Sequence, residues 1–339
     1  MPYYLHFGEG VCIMMHDMDK ICILLEEKYN TESFSDAKAA VRAFRALGFD
    51  TELSVVGEQV QASAQAQEPA ATQEQAQAIA QAQAPAATQE QAPASTQHPS
   101  AYGTLYIADS GRLLRELSAC GAAFCAYAHD GNAAEDLSAA EYVLMDLPWV
   151  DRDSLEKIWQ RQRNLPWKIL ETERCTVREF VPDDLEAVYA LYDAEARRFL
   201  EPPSEDRVRE GDILAAYIQR VYRLCGYGHW AVLLRETGEL VGRMGFSFPA
   251  KSWPGPAPDA TFGYLVRSDW RGQGITREVG AAILKYGFEQ LGFETIGADA
   301  SVLNTISDKI LRNFSFVPVA EEQNQRYYIL HNKNWRNNP

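Results

Sequence analysis

The chain has 339 residues, 46% of them hydrophobic and 11% aromatic, and at roughly 150 residues per domain that length suggests two domains with real cores rather than wholesale disorder. Its formal net charge of −15 argues against a broad electrostatic grip on nucleic-acid phosphates or on an anionic membrane, while one local site for a small anion stays compatible with it. No run approaches the ~18 apolar residues that a membrane-spanning helix needs.

In chain order, the first apolar stretch, 11–15, has no preceding Lys or Arg and runs straight into His16-Asp17-Met18-Asp19-Lys20, which is unlike a secretory leader and points to a cytoplasmic protein. Strands are expected at 11–15 and 21–25, a helix at 36–47 capped by Ser35 and closed by Gly48, and a strand at 51–56. The composition then changes. Residues 61–100 hold 14 Ala and 11 Gln, no aromatic residue and no Lys or Arg, so they have almost nothing to bury against the entropy of ordering and read as a disordered insert. Within it, AQAQEPAATQEQAQA (64–78) and AQAQAPAATQEQAPA (80–94) repeat at a 16-residue offset, a tandem duplication without the apolar face that a stacked repeat requires.

Beyond the insert the alternation resumes with a strand at 104–108, a helix at 111–119, strands at 122–128 and 142–145, and a helix at 153–163. Residues 1–60 with 101–167 thus read as a Rossmann-like α/β layer domain of unknown role. Asp17 and Asp19 after one apolar run, with Asp146 and Asp151 after another, loosely resemble the paired acidic motifs of haloacid-dehalogenase-like phosphatases, although Ile21 stands where a Thr or Val is expected. The structural alternative is strand ends that terminate in Asp. Six cysteines, Cys12, Cys22, Cys120, Cys125, Cys175 and Cys225, show no C-x-x-C spacing and read as buried free thiols rather than metal ligands or disulfides.

A second alternation fills 168–339, a mixed α+β unit. It comprises a strand at 175–180, helices at 183–194 and 205–225, strands at 230–235, 240–248 and 260–266, a helix at 277–291, a strand at 295–301, a helix at 305–314 and closing strands at 316–319 and 326–331. The sharpest local feature is Ser268-Asp269-Trp270-Arg271-Gly272-Gln273-Gly274-Ile275-Thr276 between a strand and a helix. Glycines there allow a tight turn, and the helix start offers unpaired N–H groups to an anion. It is neither a P-loop nor a dinucleotide fingerprint, because the Gly-Lys pair of the first and the third Gly of the second are missing.

The segment resembles the R/Q-x-x-G-x-G/A signature of the GNAT acyltransferases, with Arg271, Gly274 and Thr276 on the marked positions. Residues 170–179 (LETERCTVRE) look like the opening of the branch related to ribosomal-protein N-terminal acetyltransferases, 226–232 (GYGHWAV) and 238–245 (GELVGRMG) like its next strands, and Asn304-Thr305-Ile306-Ser307 before Phe314-Ser315-Phe316 like its last helix. The resemblance implies a mixed central sheet flanked by helices and direct acetyl transfer from acetyl-CoA to an amine, on a protein N-terminus or a small molecule, with no metal. It places the CoA diphosphate on the amides of Gly272, Gln273, Gly274, Ile275 and Thr276 with Arg271 as a charge partner, and the thioester carbonyl near Leu265 and Val266. Asn304 would hold the pantetheine arm and Ser307 would protonate the leaving thiolate.

Thr261 occupies the position where this branch often carries a Glu base, so Asp259, a water chain or desolvation is expected to serve instead. The same departure keeps open a second reading, a module that binds and senses CoA without catalysis. Tyr264, Tyr286 and His229 read as packing residues.

Overall fold

The computed structural model describes residues 4–7, 11–14, 18–26, 31–56 and 103–335, so the Ala/Gln-rich insert and Asp17 lie outside the described residues. Two short strands, β1 (Tyr4–Phe7) and β2 (Val11–Met14), pair with each other. The remainder divides near Leu165/Pro166 into two units.

The first unit is a five-stranded sheet of β3 (Lys20–Glu26), β4 (Asp50–Val56), β5 (Thr104–Ala108), β6 (Ala123–Tyr127) and β7 (Val143–Leu144), parallel throughout, in the order β4-β3-β5-β6-β7. β5 and β6 are buried at every position, as strands covered on both faces must be. Helix α1 (Thr31–Ala46) starts upstream of the expected Ser35 cap, because Phe34 already belongs to the stripe of Ala37, Ala40, Val41 and Phe44 that packs on the sheet. Helix α2 (Gly111–Ala119) is capped by Ser110 and buries Leu113, Leu114 and Leu117. Helix α3 (Arg152–Gln162) is capped by Asp151, whose carboxylate accepts the Ser154 N–H at 2.8 Å.

These placements separate the carboxylates of the phosphatase-like reading. Asp19 precedes β3, where its N–H and carbonyl bond Gly103 and Asp50, whereas Asp146 follows β7. In a parallel sheet those are opposite ends of the strands, about eight residues apart in the register carried through β5 and β6, or roughly 26 Å along the strands at 3.3 Å per residue, and Asp151 is committed to its helix. Cys22, Cys125 and Cys175 are buried free thiols, and Cys120 and Cys225 are half-buried free thiols.

The second unit is an eight-stranded sheet built from β8 (Lys168–Glu171), β9 (Cys175–Arg178), β10 (His229–Leu234), β11 (Leu240–Ser247), β12 (Ala260–Val266), β13 (Thr295–Ser301), β14 (Val317–Glu322) and β15 (Gln325–His331), in the order β14-β15-β13-β12-β11-β10-β9-β8. β8 is the one strand of this unit that the sequence reading did not anticipate, as β1 is outside it. One face packs under α6 (Ile275–Glu289) and α7 (Thr305–Asn313), with Trp230, Phe246, Phe262, Val279, Ile283 and Phe314 in the core. The other face, with Leu233, Leu240 and Leu265, is covered by residues around α4 (Leu185–Ala190) and α5 (Arg207–Cys225), including Leu191 and Tyr192.

The expected helix at 183–194 is short and ends at Ala190, and the Asp193 carboxylate then accepts the Ala196 N–H at 2.9 Å and turns the chain into a 3-10 turn, Ala196–Arg198. A final turn of helix, α8 (Asn332–Trp335), follows β15.

The join between β12 and β13 positions the site. It is the sheet's parallel pair, and it extends only through Ala260 with Ile296 and Thr261 with Gly297. Beyond that point β12 stays paired with β11 as far as Val266, and β13 stays paired with β15 as far as Ser301, so the two strands part and leave a cleft in the middle of the sheet.

Candidate active site

A cavity of about 480 Å³ fills that cleft. One wall is 262–266 of β12 and the other 298–301 of β13, with Gly272 and Thr276 at the head of α6, Asn304 and Ser307 at the head of α7, and Glu195 to Leu200 closing the remaining side. Of the residues singled out in the sequence, Leu265, Val266, Arg271, Gly272, Thr276, Asn304 and Ser307 line this one cavity.

The loop ahead of α6 has the backbone its glycines suggest. Gly272 and Gly274 stand at φ +74° and +84°, in the left-handed region that costs a Cβ-bearing residue roughly 1–2 kcal/mol. Gly274 is the N-cap of α6 and carries no side chain to bond the first-turn amides, and nothing lies within 4 Å of where a Cβ on Gly272 would sit. The turn is held from behind, where Arg174 donates to the Gln273 carbonyl at 2.9 Å and to Glu278, and the Gln273 side chain donates to the Asp269 carbonyl at 2.7 Å. Gln273 therefore shapes the turn, and the Ile275 side chain is buried in the core. Gln273, Gly274 and Ile275 do not line the cavity, and what they can offer at its end is their amides.

Arg271 is placed differently from the sequence reading. Its guanidinium donates to both Asp193 carboxylate oxygens at 2.8 and 2.9 Å, to Glu195 at 3.0 Å and, through Nε, to the Val266 carbonyl at 2.9 Å. These hydrogen bonds hold the Asp193 carboxyl below its ordinary range. The charge is spent on tying the turn after α4 to the end of β12.

At α7, the Asn304 side-chain oxygen accepts the Ser307 N–H at 3.0 Å and caps the helix. Beside Ser307 lies Tyr264, a residue the sequence reading set aside as packing. Its hydroxyl is buried beside the Ser307 side chain, and burial, opposed by that Ser307 interaction, pushes it up to about 12, so it stands as a neutral donor at the cavity wall. The alternation of β12 puts Tyr264 on the α7 side together with Phe262 and Val266, and this pairing of a strand tyrosine with a helix serine is visible only in the folded chain.

Asp259 does not line the cavity. It precedes β12, and its Oδ2 accepts the N–H groups of Glu294 and Thr295, both at 2.8 Å, and the Thr295 hydroxyl at 3.2 Å. Burial opposes its ionisation, and those donors outweigh burial to hold the carboxyl below its ordinary range, so it is a cap on the start of β13 rather than a base. Thr261 spends its hydroxyl on Ser247. His229 sits against Gly263 on the opposite face of β12, and burial followed by the nearby Arg243 charge lowers it to about 3, so its ring stays neutral.

Among the described residues no group of three or more His, Cys, Asp or Glu is placed to hold a metal ion, and no helix is long and apolar enough to cross a membrane.

The second unit is similar to known proteins. Residues 174–317 match the family model of the acetyltransferase (GNAT) domain. The C-terminal half carries a GNAT domain, an acyl-transfer module. The chain is 28% identical over 150 residues to an uncharacterized N-acetyltransferase, YoaA, of Bacillus subtilis (strain 168), covering 44% of this chain and 82% of that protein. It is 29% identical over 153 residues to an uncharacterized N-acetyltransferase, p20, of Bacillus licheniformis, covering 43% of this chain and 81% of that one. Among solved structures, an acetyltransferase from Agrobacterium tumefaciens superposes with a TM-score of 0.39 at 22% identity, over 48% of this chain and 93% of its own. The match begins at Arg174, so the parallel five-stranded unit lies outside the GNAT domain.

Proposed function

We propose that the GNAT domain transfers an acetyl group from acetyl-CoA directly to an amine, on a protein N-terminus or a small molecule. The observation that carries this reading is the cleft between β12 and β13, with an uncapped helix start and two left-handed glycines at one end and the Asn304, Ser307 and Tyr264 group beside it. The residues fit CoA. The first-turn amides of α6 behind Gly274 suit a diphosphate, the space over Gly272 leaves room for its oxygens, and Asn304, whose side-chain oxygen is taken by Ser307, lines a cavity in which its remaining amide nitrogen would be available to a pantetheine carbonyl.

Bound acetyl-CoA supplies the acyl thioester. Leu265 and Val266 contribute backbone at the parted edge of β12, where oxyanion donors are needed. Ser307, with Tyr264 beside it, supplies the proton for the departing thiolate. For the N-terminal unit we propose a Rossmann-like doubly wound domain, an idea supported by a parallel sheet whose first strand is internal.

The test is calorimetric titration with CoA, followed by thiol release from acetyl-CoA across a panel of primary amines and peptide N-termini. CoA binding with amine-dependent thiol release is expected. CoA binding with no release on the whole panel would favour a sensing module, and absence of CoA binding would refute the site.

A further inference from the structure

The cavity carries one charged side chain that nothing described so far uses. Of its ionisable lining residues, Arg271 and Glu195 are bonded to each other, whereas the carboxylate of Asp299 makes no hydrogen bond or ion pair among the described residues. Asp299 stands on β13 two residues past the last pairing with β12, at the point where the strands have parted.

Its face of the sheet is defined by its neighbours. Ala298 and Tyr328 turn into the core beneath α6 and α7. Asp299 belongs to the opposite face with Gly297, whose Cβ would meet Trp253 and Pro258. Its antiparallel partner Tyr327 shares that face and packs edge-on against Trp253, with ring centroids 5.2 Å apart. Tyr264 and Ser307 lie on the α7 side, so the cavity has a hydroxyl pair on one face and a lone carboxylate on the other.

Resting on the acetyl-transfer reading above, we infer that Asp299 is the anchor and proton acceptor for the acceptor substrate, and that this substrate is a primary amine that enters as its ammonium ion from the Trp253 and Tyr327 face. The surrounding walls are apolar, with Phe199 and Leu200 across the cavity, so a cationic head on an apolar body is the chemistry that matches. The proton balance closes within the cavity. One ammonium proton passes to the Asp299 carboxylate, and the freed nitrogen lone pair forms the C–N bond to the thioester carbonyl as the C–S bond breaks. The thiolate is protonated from the Ser307 side, which is made good by the second nitrogen proton, and Asp299 then releases its proton to water. The Asp299 residue is solvent-exposed, and partial desolvation by the surrounding protein holds its carboxyl above its ordinary range, the direction that suits a group receiving a proton. The polar groups around it by element are Ser301 on β13, with Gln325 and Tyr327 on β15 sharing its face, and Tyr264 on β12 and Ser307 on α7 across the cavity, with the paired Glu195 and Arg271 also lining it, and no neighbouring charge contributes to its displacement.

The experiment uses the full-length protein saturated with CoA and two probes of one shape, phenethylamine and uncharged 2-phenylethanol. The wild type is expected to bind phenethylamine at least 10-fold more tightly than the alcohol, and Asp299→Asn to lose that preference while its affinity for CoA is unchanged. With acetyl-CoA, Asp299→Asn lowers kcat/KM for phenethylamine about 100-fold or more and abolishes the acid limb of the pH profile, and Asp299→Glu restores part of both. Equal binding of the two probes by the wild type, or retention of the preference or of the acid limb in Asp299→Asn, overturns the inference. Failure of the acetyl-transfer reading itself is read separately, as absence of CoA binding or of thiol release with every amine.

Discussion

Replacing Gly274 by alanine tests whether the turn ahead of α6 is the anion cradle, because the two costs of the substitution can be separated. At φ +84° a Cβ-bearing residue carries roughly 1–2 kcal/mol of backbone strain. The new methyl would come 3.4 Å from an Arg174 guanidinium nitrogen, at the edge of ordinary contact, so sterics add little. If the turn keeps its shape, the unliganded domain loses that strain energy, which for a unit of this size lowers its melting temperature by about 2–8 °C. If the turn instead relaxes to negative φ in the free protein, ligand must pay the strain back, and the Kd for CoA rises by about 5- to 30-fold. Every intermediate case divides the same 1–2 kcal/mol between the two readouts. Differential scanning calorimetry and CoA titration of one preparation measure both. A Gly274→Ala protein with unchanged melting and unchanged CoA affinity would refute the geometry of the loop, and an affinity loss above 100-fold would show that this turn contributes more than conformational strain.

Arg271→Ala removes the tether to Asp193, Glu195 and Val266; the pair is about one-third exposed, so stability should fall by only about 1 kcal/mol while CoA affinity changes less than 10-fold. A loss above 100-fold with unchanged melting would mean that the guanidinium holds the diphosphate after all. Tyr264→Phe deletes a buried hydroxyl beside Ser307, so thermal stability should change by less than about 1 kcal/mol while kcat falls about 10-fold, and a larger loss of stability would show that the hydroxyl holds the fold rather than serving the site. In the first unit, burial, reinforced by the charge of Glu26 and opposed by the Glu26 N–H, raises Asp109 from 3.8 to about 7. The folded state thus keeps a proton that the unfolded chain releases, and stability is full below pH 3.8 and lost as pH rises through 7, by roughly 4 kcal/mol at most. Asp109→Asn should flatten the urea-unfolding stability of that unit between pH 5 and 8, and a slope equal to that of the wild type would refute the assignment.

The sequence exposes the elements of the second unit because their signals are local. Strand β12 begins and ends where its apolar run does, and β13 likewise, since each is bounded by turn residues and buried on the inner positions. α1 and α4 are less legible for a common reason. A helix boundary depends on which residues share its stripe and on what competes for its carboxylates. Phe34 extends α1 because a sheet lies beneath it, and Asp193 ends the α4 region because Ala196 and Arg271 draw on its oxygens. Neither partner can be read from a window of neighbouring residues. β8 escaped for a third reason, since a four-residue strand at a sheet edge carries only two apolar positions, Ile169 buried and Leu170 partly buried.

The site divides along the same line. Backbone requirements are written in single residues, so the turn at Gly272 and Gly274 is recoverable from the residues alone, whereas Asn304 is reached through the family resemblance and its capping role comes from the structure. Side-chain electrostatics are not, because the meaning of a charged residue is set by what faces it. Arg271 looks like a phosphate ligand until Asp193, 78 positions away, saturates it. Asp259 looks like a base until Glu294 and Thr295 claim its oxygens. Asp299, in the run Ile296-Gly297-Ala298-Asp299-Ala300, looks like the solvent side of an alternating strand, and it becomes a cavity residue because β12 leaves β13 two residues earlier. The −15 charge of the chain takes its sense from this arrangement. In the proposed reading a diphosphate would be held by amides, because the nearby guanidinium groups of Arg271 and Arg174 are neutralised internally by Asp193, Glu195 and Glu278, and the unpaired carboxylate in the cleft would select for a substrate of the opposite sign.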